Sequence, residues 1–122
     1  RPRVPGSLAS HYAPRTPLRM IEADQLDEFV RAQTAAPVAV LARRSRPRDS
    51  KAALWQIAPE AAADYARLLY ATLRRLDDAG CRLIVVEAPP PLPEWAAVRD
   101  RLGRAATPEP VTQSDVAATR AG

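Results

Sequence analysis

The sequence predicts a small α/β domain, a mostly parallel, doubly wound sheet of Rossmann-like shape with helices on both faces. Three observations carry that reading. Val38-Ala39-Val40-Leu41 and Leu83-Ile84-Val85-Val86 are continuous apolar runs, too short for helices. They lack the apolar-polar alternation of a strand with one wet face, so they read as strands covered on both sides. Between them lies an amphipathic helix, with Tyr65, Leu68, Leu69, Thr72, Leu73 and Leu76 recurring at helical spacing. The order of elements is β-α-β-(β)-α-β-α, and buried strands separated by amphipathic helices imply parallel pairing.

Each element follows from local chemistry. Residues 1–17 hold four prolines, at 2, 5, 14 and 17. Proline fixes φ and removes a donor, so this stretch is neither a continuous helix nor a central strand. Leu18 to Ile21 is a short apolar run, read as the first strand. Asp24 is placed to cap a helix from Gln25 to Ala35, with Leu26, Phe29 and Val30 on one face. Asp27 and Glu28 suit its first turn electrostatically, and Pro37 ends it. After the Val38–Leu41 strand, residues 42–51 form a polar, arginine-rich loop, and Leu54-Trp55-Gln56-Ile57 reads as a third strand. Pro59 suits the first position of the long helix, which Gly80 stops near Ala79. Residues 88–93 hold four prolines and read as an ordered turn or a polyproline II stretch. Glu94 to Ala106 returns to helix with Trp95, Val98 and Leu102 inward. The organisation expected is a linker over 1–17, an α/β domain over 18–106 and a disordered tail over 107–122.

Composition narrows the function classes. The chain has 122 residues, with 47% hydrophobic and 26% charged, ordinary for a globular protein. No apolar run approaches the roughly 20 residues of a membrane span, and no signal peptide is evident. The chain begins at Arg1 with its one methionine at position 20, which reads as a fragment of a longer polypeptide or a processed one. A single cysteine, Cys81, excludes an internal disulfide and a multi-cysteine zinc site, and reads as a small buried hydrophobe. One histidine cannot build a metal cluster. No glycine-rich phosphate loop is present, and Ser10 beside His11 lacks a third group. No catalytic or metal-ligating residue is assigned, and the isolated chain is expected to be inactive and to bind no cofactor itself. The net charge of +4 is modest, and Arg43, Arg44, Arg46 and Arg48 read as a solvated loop rather than an RNA platform, since no aromatics interleave. Glu87, at a strand end where open α/β sheets bind ligands, reads as a surface carboxylate near an arginine.

The first seventeen residues carry the most specific pattern. Pro5, Gly6, His11, Tyr12 and Pro14 fall in register with a linker of the form Arg-x-Ser/Ala-Pro-Gly-x-x-x-x-His-Tyr-x-Pro, with Val4 where a small residue is expected and Arg3 matching the arginine one place nearer the proline. In this the chain resembles the interdomain linker of the Sua5-type L-threonylcarbamoyladenylate synthases. The stretch from Leu18 to about Ala106 resembles their C-terminal domain, in patterns such as Tyr65-Ala66-Arg67-Leu68-Leu69-Tyr70 and Val98-Arg99-Asp100-Arg101-Leu102.

The resemblance implies a role and partners. A separate N-terminal catalytic domain would bind ATP with magnesium, L-threonine and bicarbonate, and release threonylcarbamoyl-adenylate and pyrophosphate. The product would pass to proteins that form N6-threonylcarbamoyladenosine in tRNAs, in the cytoplasm. The linker, through Arg3, Pro5, Gly6, His11, Tyr12 and Pro14, would fold over that site as a lid. Excluding water would protect a hydrolysable intermediate and product. This chain would be the accessory or regulatory part, with no direct RNA or membrane binding expected. Two other readings remain at this point. One is a free-standing module docking through Trp95 and the turn at 89–93. The other is a weak nucleotide or RNA binder using the basic loop.

Overall fold

The computed structural model describes residues 12–34 and 37–107. Four strands, β1 (Leu18–Ile21), β2 (Val38–Ala42), β3 (Leu54–Ile57) and β4 (Leu83–Glu87), form one sheet in the order β1-β4-β2-β3. Every pairing is parallel, with Leu18 opposite Ile84, Val38 opposite Leu83 and Ala39 opposite Leu54. Among the described residues the sheet is joined by three helices, α1 (Leu26–Ala32), α2 (Ala62–Asp78) and α3 (Ala96–Ala105), and α1 and α3 are each preceded by a 3-10 turn.

Side-chain alternation along the two central strands explains the layers. Ala39 and Leu41 of β2, with Ile84 and Val86 of β4, face a core built with Leu69, Leu73 and Leu76 of α2 and Val98 and Leu102 of α3. Val38, Val40 and Ala42, with Val85, face the opposite way onto Leu26 and Val30 of α1 and onto Ala52. The predicted doubly wound α/β sheet is therefore the observed one. All five residues of β2 are buried, as a strand covered on both faces requires.

Several local expectations are corrected. Asp24 does not cap α1; it lies inside the 3-10 turn Ala23–Gln25, and no side chain caps the helix. Helix α1 ends at Ala32 rather than Ala35. Pro59 is not at the first position of α2, which begins at Ala62. The chain spends Ala58–Ala61 leaving the sheet edge, where the Ala58 amide still donates to Ala42. Leu68 shares the helical spacing of the core stripe but is 38% exposed. Cys81 is half-buried against the larger core.

Gly80 ends α2 with φ +76°, the left-handed conformation that side chains resist. A Cβ there would meet nothing within 4 Å, so substitution costs conformation and not space. Gly80→Ala is therefore expected to destabilise the domain by about 1 kcal/mol. Urea denaturation reads this directly, and a change below a few tenths would contradict the assigned turn.

Candidate functional site

Two regions hold concentrated polar chemistry. The first is the root of the proline-rich strap, where residues 12–17 lie against α2. The Asp77 carboxylate accepts three hydrogen bonds from the strap: from the Thr16 hydroxyl at 2.6 Å, the Thr16 amide at 2.9 Å and the Arg15 amide at 3.1 Å. Its side chain is only 10% exposed. Burial pushes the Asp77 pKa up, but these bonds and the Arg15 charge outweigh it and hold the carboxyl below its ordinary range.

Tyr12 packs edge-on against Tyr70 at 5.8 Å between ring centroids, with the Arg74 guanidinium over its ring at 5.9 Å. Burial, then the Asp77 charge, raise the Tyr12 pKa. Where the strap enters β1, the Leu18 amide donates to the Thr107 hydroxyl and Leu18 carbonyl accepts the Thr107 amide. Thr107, the first residue of the expected tail, is thus tied to β1.

The second region is the carboxyl edge of the sheet. β4 is followed by α3 on one face, whereas β2 is followed by a loop that packs Ala52 on the other. Connections diverging to opposite faces open the crevice where doubly wound sheets bind ligands. Glu87 closes one side of it. Its carboxylate accepts the Arg43 amide at 2.9 Å and lies 3.6 Å from the Arg44 guanidinium, which also reaches Asp27 at 3.7 Å and the Ala23 carbonyl. On the face covered by α2 and α3, the Arg43 guanidinium stacks over the Trp95 ring at 4.7 Å, and Tyr65 meets the same indole edge-on at 5.4 Å. Burial pushes the Tyr65 phenol well above its usual range, so it stays protonated.

The expected site residues divide accordingly. Tyr12 and Pro14 belong to the strap root; Arg3, Pro5, Gly6 and His11 lie outside the described residues. Glu87 is not a surface carboxylate: it is 6% exposed, because its position on β4 is covered by the loop after β2. Trp95 cannot dock a partner, being 3% exposed in the core. The arginines after β2 are not simply solvated. Arg43 stacks, Arg44 bridges two carboxylates, and Arg46 donates to the Ser50 and Ala52 carbonyls and holds the loop. Asp77 has no assigned role in the sequence reading, and Arg43 and Tyr65 are read there only as a loop residue and a core-stripe residue. Only a charged residue at the end of an amphipathic stripe hinted at Asp77. Among the described residues no group of acids, histidine and cysteine could hold a metal ion, and no helix is long and apolar enough to cross a membrane.

An all-parallel sheet covered on both faces, with residues 15 and 16 pinned to its longest helix, defines a small doubly wound α/β domain. The family model for the threonylcarbamoyl-AMP synthase C-terminal domain matches residues 1–107, and the chain belongs to that family. The crystal structure of the C-terminal Sua5 domain of a hypothetical Sua5 protein from Pyrococcus horikoshii is similar in fold. Its TM-score is 0.60 at 21% identity, covering 75% of this chain and 93% of that one. A comparison with curated proteins found no match.

Proposed function

We propose that this domain is the accessory, site-closing part of a threonylcarbamoyl-AMP synthase, working in cis with a catalytic domain that supplies the ATP, magnesium, L-threonine and bicarbonate chemistry. The same reading places it in the cytoplasmic pathway to threonylcarbamoyladenosine in tRNA. The observation that carries it is the rooted strap, set within a chain of that family. A lid must be fixed at one end to close reproducibly, and Asp77 fixes residues 15 and 16 to α2 with three hydrogen bonds. Tyr12, packed on Tyr70, continues that anchorage. In this reading Tyr12 and Pro14 set where the strap departs, and Arg3, Pro5, Gly6 and His11 reach the neighbouring site. Proline lowers the entropy lost when such a strap orders, and a closed strap keeps water from a fragile carbamate and a mixed anhydride.

The test uses the enzyme that carries both domains. Changing His11 and Tyr12 to alanine is expected to lower turnover about tenfold or more and to raise the share of ATP cleaved without adenylate product. Pyrophosphate release measured beside product formation reads both effects. Unaltered turnover with unaltered coupling would defeat the lid.

A further inference from the structure

At the carboxyl edge of the sheet two buried donors, the Tyr65 hydroxyl and the Arg43 Nε, have no hydrogen-bond partner among the described residues. Helix α2 is seventeen residues long and begins at Ala62, and its N-cap, Ala61, supplies no side-chain cap. Its first turn therefore has no side-chain acceptor at the N-cap, and Asp64 is the one acid in that turn. Asp64, the acid of that first turn, is paired with Arg67 at 3.3 Å. Tyr65, in the same turn, is 2% exposed, and its hydroxyl has no partner among the described residues. Burial keeps that hydroxyl protonated and hence a donor.

Arg43 adds a charge. Its Nε is buried without a partner, and among the described residues no carboxylate lies within ion-pair reach of its guanidinium. Asp27 and Glu87 are both engaged by Arg44 instead. Tyr65 and Arg43 share one platform, the Trp95 ring. Tyr65 is also part of the wall of a groove of about 310 Å³ between α2 and the end of β3. Leu41 and Leu69 form its floor, and Ile57 and Leu68, 51% and 38% exposed, form its lips.

We propose that Arg43, Tyr65 and the first turn of α2 bind an oxyanion, a phosphate monoester or a carboxylate, whose apolar body lies in the adjoining groove. The guanidinium offers paired donors to two oxygens. The helix end and the Tyr65 hydroxyl satisfy the remaining lone pairs. The groove favours small organic anions over inorganic ones, since apolar surface is removed from water along with the charge. The site stands on these residues alone, whether or not the strap closes over a neighbour.

The 122-residue chain itself serves for the test, with the indole N–H signals of Trp95 and Trp55 followed by NMR. Trp95 carries the Arg43 guanidinium, whereas the Trp55 indole donates to the Arg44 carbonyl and acts as an internal control. Phenyl phosphate, benzoate and inorganic phosphate are titrated separately. The expected result is a saturable shift of Trp95 with phenyl phosphate or benzoate, the stronger of the two naming the oxyanion, and weaker binding of inorganic phosphate. Arg43→Gln is expected to weaken binding about tenfold or more, and Tyr65→Phe about threefold. If Arg43→Gln loses the folded spectrum, Tyr65→Phe carries the comparison. The proposal is overturned if no probe gives a saturable shift at Trp95, if the folded variants bind as the parent does, or if shifts gather only on residues 46–51.

Discussion

Replacing Leu73 with alanine is expected to cost the domain about 2–5 kcal/mol, the largest effect of any single truncation considered. Leu73 is 0% exposed, at the middle of α2, in the core shared by Leu69, Leu76, Ile84 and Leu102. The cost has two parts: the transfer energy of the lost carbons, and a cavity that the sheet side cannot collapse to fill. In a domain of this size each kcal/mol lowers the melting temperature by about 4–8 °C, so a drop of roughly 10 °C or more is expected. Leu68→Ala on the same helix is the control. Leu68 is 38% exposed, and its truncation is expected to cost less than about 1 kcal/mol. Urea denaturation of both variants decides the matter. Near-equal losses would mean that α2 does not present its Leu69–Leu73–Leu76 stripe to the sheet.

That pair of leucines also shows how far the sequence could be read. Periodicity placed Leu68 and Leu73 on one helix, correctly, but not at one depth. The core-facing arc of α2 is narrower than the apolar stripe: β3 is an edge strand, and its Ile57, though paired with Ala42, stays 51% exposed beside Leu68. Runs such as Val38–Leu41 and Leu83–Val86 were legible because a strand buried on both faces has no room for polar residues. The ends of α1 and α2 were less so. Asp24 and Pro59 are good helix starters by propensity, yet the chain uses them one turn early, in a 3-10 turn and in the exit from β3.

The candidate site was harder still. Arg43 and Arg44 are adjacent in sequence and look alike, but they do different work. Arg44 reaches Asp27 and Glu87, 17 and 43 residues away by number, while Arg43 reaches Trp95. Nothing in local composition separates them; only the parallel pairing of β2 with β4, which brings residue 43 beside residue 87, does so. The strap was legible as a motif and not as a contact. Its partner, Asp77, lies 61 residues from Thr16 and would pass for one of the ordinary solvated carboxylates of a helix end.

Asp77 therefore gives the sharpest remaining expectation. Asp77→Ala removes three hydrogen bonds to a charged acceptor that is 10% exposed, and is expected to cost about 1.5–3 kcal/mol. The loss should be local first. The Arg15 and Thr16 amides lose their protection from hydrogen exchange, and Tyr12 loosens from Tyr70, while the sheet amides keep theirs. Asp77→Asn retains one acceptor oxygen and should fall between parent and alanine.

Acid should act in the same direction. The folded pKa of Asp77 is lowered from the ordinary 3.8, so the carboxylate's contribution is complete above about pH 5. It is then lost as the pH falls through 3.8 and on through the folded value. Thr16 amide shifts followed against pH should titrate with a midpoint below 3.8, and the transition should vanish in Asp77→Ala. A midpoint at or above the ordinary value would mean that the strap root is not held by this carboxylate. At neutral pH the carboxylate is fully charged, so Arg15 and Thr16 are held to the end of α2 at full strength.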